Sequence, residues 1–252
     1  MIDTHCHLYL EEFDETLEQV LQRAEENSVE KFYLPAIDSK YTERMLSLEK
    51  RYPGRCFAMM GLHPCYVKEN YIDELSGVEH WLRQRKFSAI GEIGLDKYWD
   101  QTFLQQQYDT FRKQVEWAIE FNLPVVIHSR QATRECIDVI SEFRGKGLTG
   151  IFHCFGGTKE EAEAIISLGF YLGIGGVVTY KNSGLDKVLA GIDMSHIVLE
   201  TDAPYLSPVP HRGKVNESSF LTLIAEKIAT IYATSIEEVD RVTTRNALNV
   251  FK

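Results

Sequence analysis

The chain is short of positive charge: 27 Lys and Arg stand against 37 Asp and Glu in 252 residues, a formal net charge of -10. Sequence-independent duplex binding draws on many phosphate contacts from Lys and Arg. The deficit therefore excludes a high-affinity coat for double-stranded nucleic acid. No apolar run reaches the ~18 residues that a membrane span needs. The first residues enter a strand-like segment with no basic stretch and apolar core of a secretory leader ahead of it, so a cytoplasmic location is expected. The five cysteines, Cys6, Cys56, Cys65, Cys136 and Cys154, are odd in number and lack a C-x-x-C pair. That pattern fits neither a disulfide framework nor a structural zinc site, and reduced thiols are expected. No low-complexity tract, solenoid repeat or Pro/Gly/Ser-rich linker interrupts the chain. A single domain spanning residues 1–252 is the simplest count.

What is present alternates. Short apolar runs at 2–5, 32–37, 57–62, 87–95, 123–128, 150–155, 170–174 and 197–202 are separated by stretches with apolar residues at helical spacing, such as 13–26, 42–51, 103–121 and 159–168. Near-continuous apolar strands between helices imply a parallel sheet covered on its faces. About eight such units in a chain of this length fit a closed α/β barrel, the TIM (β/α)8 fold, better than an open doubly wound sheet. Punctuation agrees: Tyr52-Pro53-Gly54, Asn122-Leu123-Pro124, Gly169 and Gly191 fall where elements should stop.

His5 and His7 lie two apart at the first strand, where alternation turns both to one face. Such a pair is weak by itself. Its company is Glu92, His128, His153 and Asp202, each near the C-terminal end of a different apolar run. One His or Asp at a strand end is more often a hydrogen-bonded loop anchor than a ligand. Six imidazoles and carboxylates converging at the mouth of a barrel are costly to bury without a cation. Alternation groups Ile90, Glu92 and Gly94 on one face, Val126, His128 and Arg130 on another, and likewise Ile151, His153 and Phe155. It turns Cys6 and Cys154 away from the metal, as packing residues.

Four histidines and two carboxylates exceed what one open catalytic site needs, so two divalent cations are expected, with Glu92 as the bridge. One cation takes His5, His7, Glu92 and Asp202, and the other Glu92, His128 and His153. Zinc, manganese, nickel or iron suits mixed imidazole and carboxylate donors, and magnesium less so. A divalent cation lowers the pKa of water from 15.7 to roughly 7, which makes hydrolysis the expected chemistry. Asp202 is the candidate general base, and Glu200 orients Arg130 or an imidazole or else is satisfied within the barrel.

The segments M-I-D-T-H-C-H-L (1–8), G-L-H-P (61–64), G-E-I-G-L-D (91–96), V-I-H-S-R (126–130), H-C-F (153–155) and E-T-D-A-P-Y-L (200–206) together resemble the TatD family of metal-dependent hydrolases, among the amidohydrolase-like barrels. The resemblance covers essentially the whole chain. It implies a TIM-barrel deoxyribonuclease of the 3′ to 5′ exonuclease type, with metal ligands at His5, His7, Glu92, His128, His153 and Asp202. Glutamate stands where related amidohydrolases carry a carboxylated lysine. P-H-R-G-K (210–214) followed by Asn216 and Glu217 also resembles the family, while Ser218 stands where proline is expected.

The loop 205–219 carries His211, Arg212 and Lys214 just beyond Asp202 and, with Arg130 and Lys181, is a candidate phosphate-binding rim. His63 is placed to hydrogen-bond substrate or a ligand carboxylate, and Tyr98 and Trp99 to stack a base or sugar. Few cations outside this centre suggest engagement of a DNA end or a short single strand. An amide or ester hydrolase, such as an aminoacyl-tRNA deacylase, remains the alternative, because one barrel hosts many chemistries.

Overall fold

The computed structural model describes residues 1–252 as eight parallel strands and nine α-helices in alternation. In chain order these are β1 (Ile2–Asp3), α1 (Leu17–Glu26), β2 (Lys31–Leu34), α2 (Ser39–Arg51), β3 (Cys56–Ala58), α3 (Tyr71–Gln84), β4 (Ile90–Asp96), α4 (Leu104–Phe121) and β5 (Val125–Arg130). There follow α5 (Thr133–Ser141), β6 (Gly150–Phe152), α6 (Lys159–Ser167), β7 (Phe170–Ile174), α7 (Leu185–Leu189), β8 (Ile197–Leu199), α8 (Leu221–Tyr232) and α9 (Ile236–Val250).

Regular pairing runs β1-β2-β3 and β4-β5-β6-β7-β8. Isolated parallel bridges close both gaps, Met60 to Ile90 and Cys6 to Ala203. Backbone bonds reinforce them: Gly91 N donates to Met60 O at 3.1 Å, and Thr4 N to Leu199 O at 3.1 Å. The sheet is therefore a barrel, and the open-sheet alternative is excluded. β1, β2, β3, β6 and β8 end before their apolar runs do, and the last residues of those runs leave the ladder to form the barrel mouth.

Alternation sorts the apolar side chains into two layers. Ile2, Tyr33, Met59, Ala89, Val126, Ile151 and Val198 fill the barrel interior, and Ala247 and Val250 of α9 close its floor. Phe32, Leu34, Ile90, Ile93, Leu95 and Phe152 instead face the helices and join the larger core outside the barrel. The helices meet that layer through stripes at helical spacing, such as Val20, Leu21 and Ala24 of α1. Helix α6 begins at a capping box between Thr158 and Glu161. No helix is long and apolar enough to cross a membrane.

Candidate metal centre

The mouth of the barrel is assembled first by β1. Buried Asp3 accepts from Thr201 N at 3.0 Å, Thr201 Oγ1 at 2.6 Å and Ser218 Oγ at 2.7 Å. This locks the N-terminal segment to the one that follows β8. Burial drives the Asp3 carboxyl up to about 6 against the pull of those donors. Past this anchor, His5 and His7 turn to one face as expected, their Nε2 atoms 3.3 Å apart. Behind His7, its Nδ1 lies 3.0 Å from the Tyr9 hydroxyl, which donates to Pro35 O at 2.5 Å. Sequence reading passed over Tyr9, which lies in a turn closed by Leu10 N donating to His7 O at 3.0 Å, where strand alternation gives no signal.

Glu92 reaches the interior by a route that simple alternation misses. Ile90, Ile93 and Leu95 all pack outside the barrel, so Ile90 does not share a face with Glu92. The reason is an irregularity in the pairing of β4 with β5, which shifts register between Ile90 and Ile93. Gly94, at φ +135°, makes the resumed pairing possible, because a Cβ there would stand 2.1 Å from His128 O. The carboxylate divides between two sets of imidazoles. Its Oε2 lies 3.1 Å from His5 Nε2 and 3.9 Å from His7 Nε2. Its Oε1 lies 2.8 Å from His128 Nδ1, 3.6 Å from His63 Nε2 and 3.6 Å from His153 Nε2.

Asp202 Oδ1 completes the first set, 3.6 Å from His5 Nε2, 3.5 Å from His7 Nε2 and 3.9 Å from His153 Nε2. Each outer imidazole is backed by a further group. Asp96 Oδ2 lies 2.8 Å from His128 Nε2. Glu200 Oε1 lies 2.9 Å from His153 Nδ1, although the angle leaves that nitrogen without a formed hydrogen bond. Glycine at 173 makes room for Glu200, since a Cβ there would stand 2.3 Å from Oε2. Asp96 closes the G-E-I-G-L-D segment and was given no role by sequence reading. Its even spacing from Gly94 was the available signal.

Two alternation arguments are corrected here. Phe155 packs in the outer core and not beside His153. Cys154 does not turn away: its backbone adopts φ +47°, its N–H donates to Glu200 Oε1 at 2.5 Å, and its sulfur groups with donor atoms of His153 and Glu200 within 4.8 Å. The strand has ended at Phe152, so period-two reasoning no longer applies there. Cys6 is fully buried in the outer core, as expected.

Burial would raise the Glu92 carboxyl, but His5, His63 and His153 outweigh it and hold it well below the usual carboxylate range. Burial likewise opposes, and His153 with His7 and His5 overcomes, in lowering Asp202. His153 moves the other way, since Glu200, Glu92 and Asp202 overcome desolvation and push it up to about 10. His128 is also raised, against burial, by Asp96 and Glu92. His5 and His63 are lowered, chiefly by burial. The buried acids thus depend on nearby positive charge, and no Lys or Arg pairs with Glu92 or Asp202.

The donor set fits divalent cations. His5, Glu92 and His153 are buried, His5 Nδ1 has no hydrogen-bond partner, and three groups drawn from the six expected residues hold their donor atoms within 4.8 Å: His5, His7 and Glu92; His5, His153 and Asp202; Glu92, His128 and His153. A fourth group joins His63, Cys65 and His128.

A cleft of about 310 Å³, bounded among others by His128, Arg130, His153, Cys154, Asp202 and Leu206, opens onto the cluster. Arg130 stands at its edge. The other rim cations are held by other contacts: His211 stacks on Phe220 at 4.1 Å and Arg212 lies 4.2 Å over the Tyr180 ring. Neither they nor Lys214 and Lys181 border this cleft. A larger hollow of about 570 Å³ lies between α1 and α2, where Asp14 and Glu18 pair with Arg44 and Arg51.

The model of a family described as TatD related DNase matches residues 2–252. The chain is 36% identical over 253 residues to YabD of Bacillus subtilis, named an uncharacterized metal-dependent hydrolase, with 100% of this chain and 99% of that one covered. It is 30% identical over 258 residues to a protein of Pantoea vagans named 3′-5′ ssDNA/RNA exonuclease TatD, covering 100% and 99%. Among solved structures, YjjV of Escherichia coli, a TatD homologue, superposes with a TM-score of 0.94 at 28% identity, covering 100% of this chain and 97% of that one.

Proposed function

The chain belongs to the TatD family of metal-dependent hydrolases, and from that premise we propose that it is a two-cation deoxyribonuclease of the 3′ to 5′ exonuclease type, a single-domain cytoplasmic enzyme acting on DNA ends or short single strands. One observation carries the two-cation reading. The two oxygens of Glu92 face separate imidazole sets, Oε2 toward His5 and His7 and Oε1 toward His128 and His153. A carboxylate so placed would serve two cations at once. His5, His7 and Asp202 would hold one with Glu92, and His128 and His153 would hold the other with the same carboxylate.

Such cations, when bound, lower the pKa of water and polarise a phosphoryl group. The chain supplies the rest. Asp202 is ionised at neutral pH, and its contacts with the imidazoles all use Oδ1. That leaves Oδ2 to accept the proton of the attacking water. Tyr9, Asp96 and Glu200 orient His7, His128 and His153 from behind. Arg130 offers the cleft a planar fork of donors suited to phosphate oxygens. His63 Nε2, beside Glu92 Oε1, orients that carboxylate or a substrate oxygen. His211, Arg212 and Lys214 serve only the more distant part of a nucleic-acid chain.

The test is metal-stripped enzyme reconstituted with manganese or magnesium and offered end-labelled single-stranded DNA, a ribonucleotide oligomer, bis(p-nitrophenyl) phosphate and an aminoacyl ester. Release of nucleotides from labelled DNA is expected. Consumption of the aminoacyl ester alone would overturn the nuclease reading in favour of a carbonyl hydrolase.

A further inference from the structure

Beside the cluster lies an aromatic pair that packing does not account for. Trp99 is 62% exposed and Tyr98 is 46% exposed, in the turn that follows β4. Single exposed aromatics are common and mean little. These two are held in place: their backbone N–H groups donate to Asp96 Oδ1 at 2.8 and 2.9 Å. The other oxygen of that carboxylate meets His128 Nε2 at 2.8 Å. One side chain thus fixes the aromatic turn relative to the metal centre.

The rings meet edge to face, 4.8 Å apart at 85°. The Arg130 guanidinium lies 3.9 Å over the Tyr98 centroid and 5.3 Å from that of Trp99, and it borders the cleft with His128, His153 and Asp202. Arg130 thus lies over both rings but closer to Tyr98, and Trp99 is the more exposed of the two.

We propose that Trp99 is a nucleobase-stacking surface, with Tyr98 as its edge-on support and Arg130 as the phosphate contact beside it. The substrate then enters as a strand whose terminal base is unpaired, because such a base turns onto Trp99 without breaking a pair, whereas a paired base brings its partner strand with it into the cleft. The proposal rests on the nuclease reading and adds where the base goes. It also explains how an acidic chain holds a polyanion. Stacking accepts any base and gives affinity that phosphate contacts would otherwise have to supply, and those weaken steeply with salt.

The test uses manganese-loaded protein and a fluorescent oligodeoxynucleotide of about six residues, linked by phosphorothioates so that it resists cleavage, beside a companion strand with an abasic terminal residue. Anisotropy should show wild type binding the base-bearing strand about tenfold more tightly than the abasic one. Trp99→Ala should abolish that ratio, and Trp99→Phe should retain most of it. Equal binding of both strands by wild type, no binding of either, or an unchanged ratio in Trp99→Ala overturns the proposal. Cleavage of an unmodified labelled strand is scored separately. Base-dependent binding without cleavage keeps the stacking surface and sinks the nuclease reading. Cleavage with the same KM for base-bearing and abasic ends does the reverse.

Discussion

Asp96 holds His128 by its outer nitrogen: Oδ2 lies 2.8 Å from Nε2, while Nδ1 of the same ring points at Glu92 Oε1, also at 2.8 Å. A carboxylate behind a ligand imidazole fixes its tautomer and raises its basicity. Asp96→Asn keeps the shape and removes the charge. Cation affinity measured by calorimetry should fall about 10- to 100-fold. Unchanged affinity would make Asp96 a loop anchor only.

Tyr9 makes the corresponding contact with His7 by a different logic. A carbonyl can only accept, so the single hydroxyl proton of Tyr9 is committed to Pro35 O. The hydroxyl oxygen must then accept from His7 Nδ1–H, which leaves the lone pair on Nε2, facing Glu92 and Asp202. Tyr9→Phe strands a buried carbonyl and a buried ring N–H. The expected cost is about 1–3 kcal/mol in chemical denaturation, with cation affinity reduced about tenfold. If the variant loses stability but binds cations as wild type does, Tyr9 does not set the His7 tautomer.

The charge pattern gives a pH dependence with a definite sign. His153, raised to about 10, adds stability to the metal-stripped protein that is fully present below its unfolded value of ~6.5 and lost as pH rises through about 10. Glu92 and Asp202, both lowered, add stability present above ~4 and lost as pH falls through their folded values. A ligand imidazole must be neutral, so cation binding at about pH 8 should expel the His153 proton. Calorimetry in buffers of different ionisation enthalpy should register release of at least one proton, since His128 is raised as well, with affinity rising with pH between about 7 and 9. Buffer-independent heats would contradict this assignment.

Most of the framework was legible because a closed parallel barrel writes itself as apolar runs separated by helical stripes, and strand ends can be counted. His5, His7, His128, His153 and Asp202 could be placed from that count. The count placed Glu92 as well, but the local backbone behind these residues was hidden wherever the chain leaves its period: Glu92 is interior through the register shift beside Gly91, Asp202 sits at φ +58° beyond the end of β8, and Cys154, expected to turn away, enters the cluster at φ +47°. Tyr9 and Asp96 were missed for another reason: a group behind a ligand is identified by what it touches, and the even spacing from Gly94 put Asp96 on the interior face without revealing its contact with His128. Sequence proximity to Asp202 suggested a phosphate loop, and the folded loop holds its cations outside the cleft, with His211 on Phe220 and Arg212 over Tyr180.

Glu92→Gln keeps the side-chain volume and removes one bridging charge from a fully desolvated position, 2% exposed. Turnover should drop by more than about 100-fold with the fold retained. Near-wild-type turnover would remove Glu92 from the centre.

Anomalous diffraction from a crystal grown in excess manganese tests the central claim most directly. Two peaks are expected on either side of the Glu92 carboxylate, one within ligand distance of His5, His7 and Asp202 and the other within ligand distance of His128 and His153. A single peak that leaves one of these imidazole sets without a cation, or none at the barrel mouth, would contradict the account.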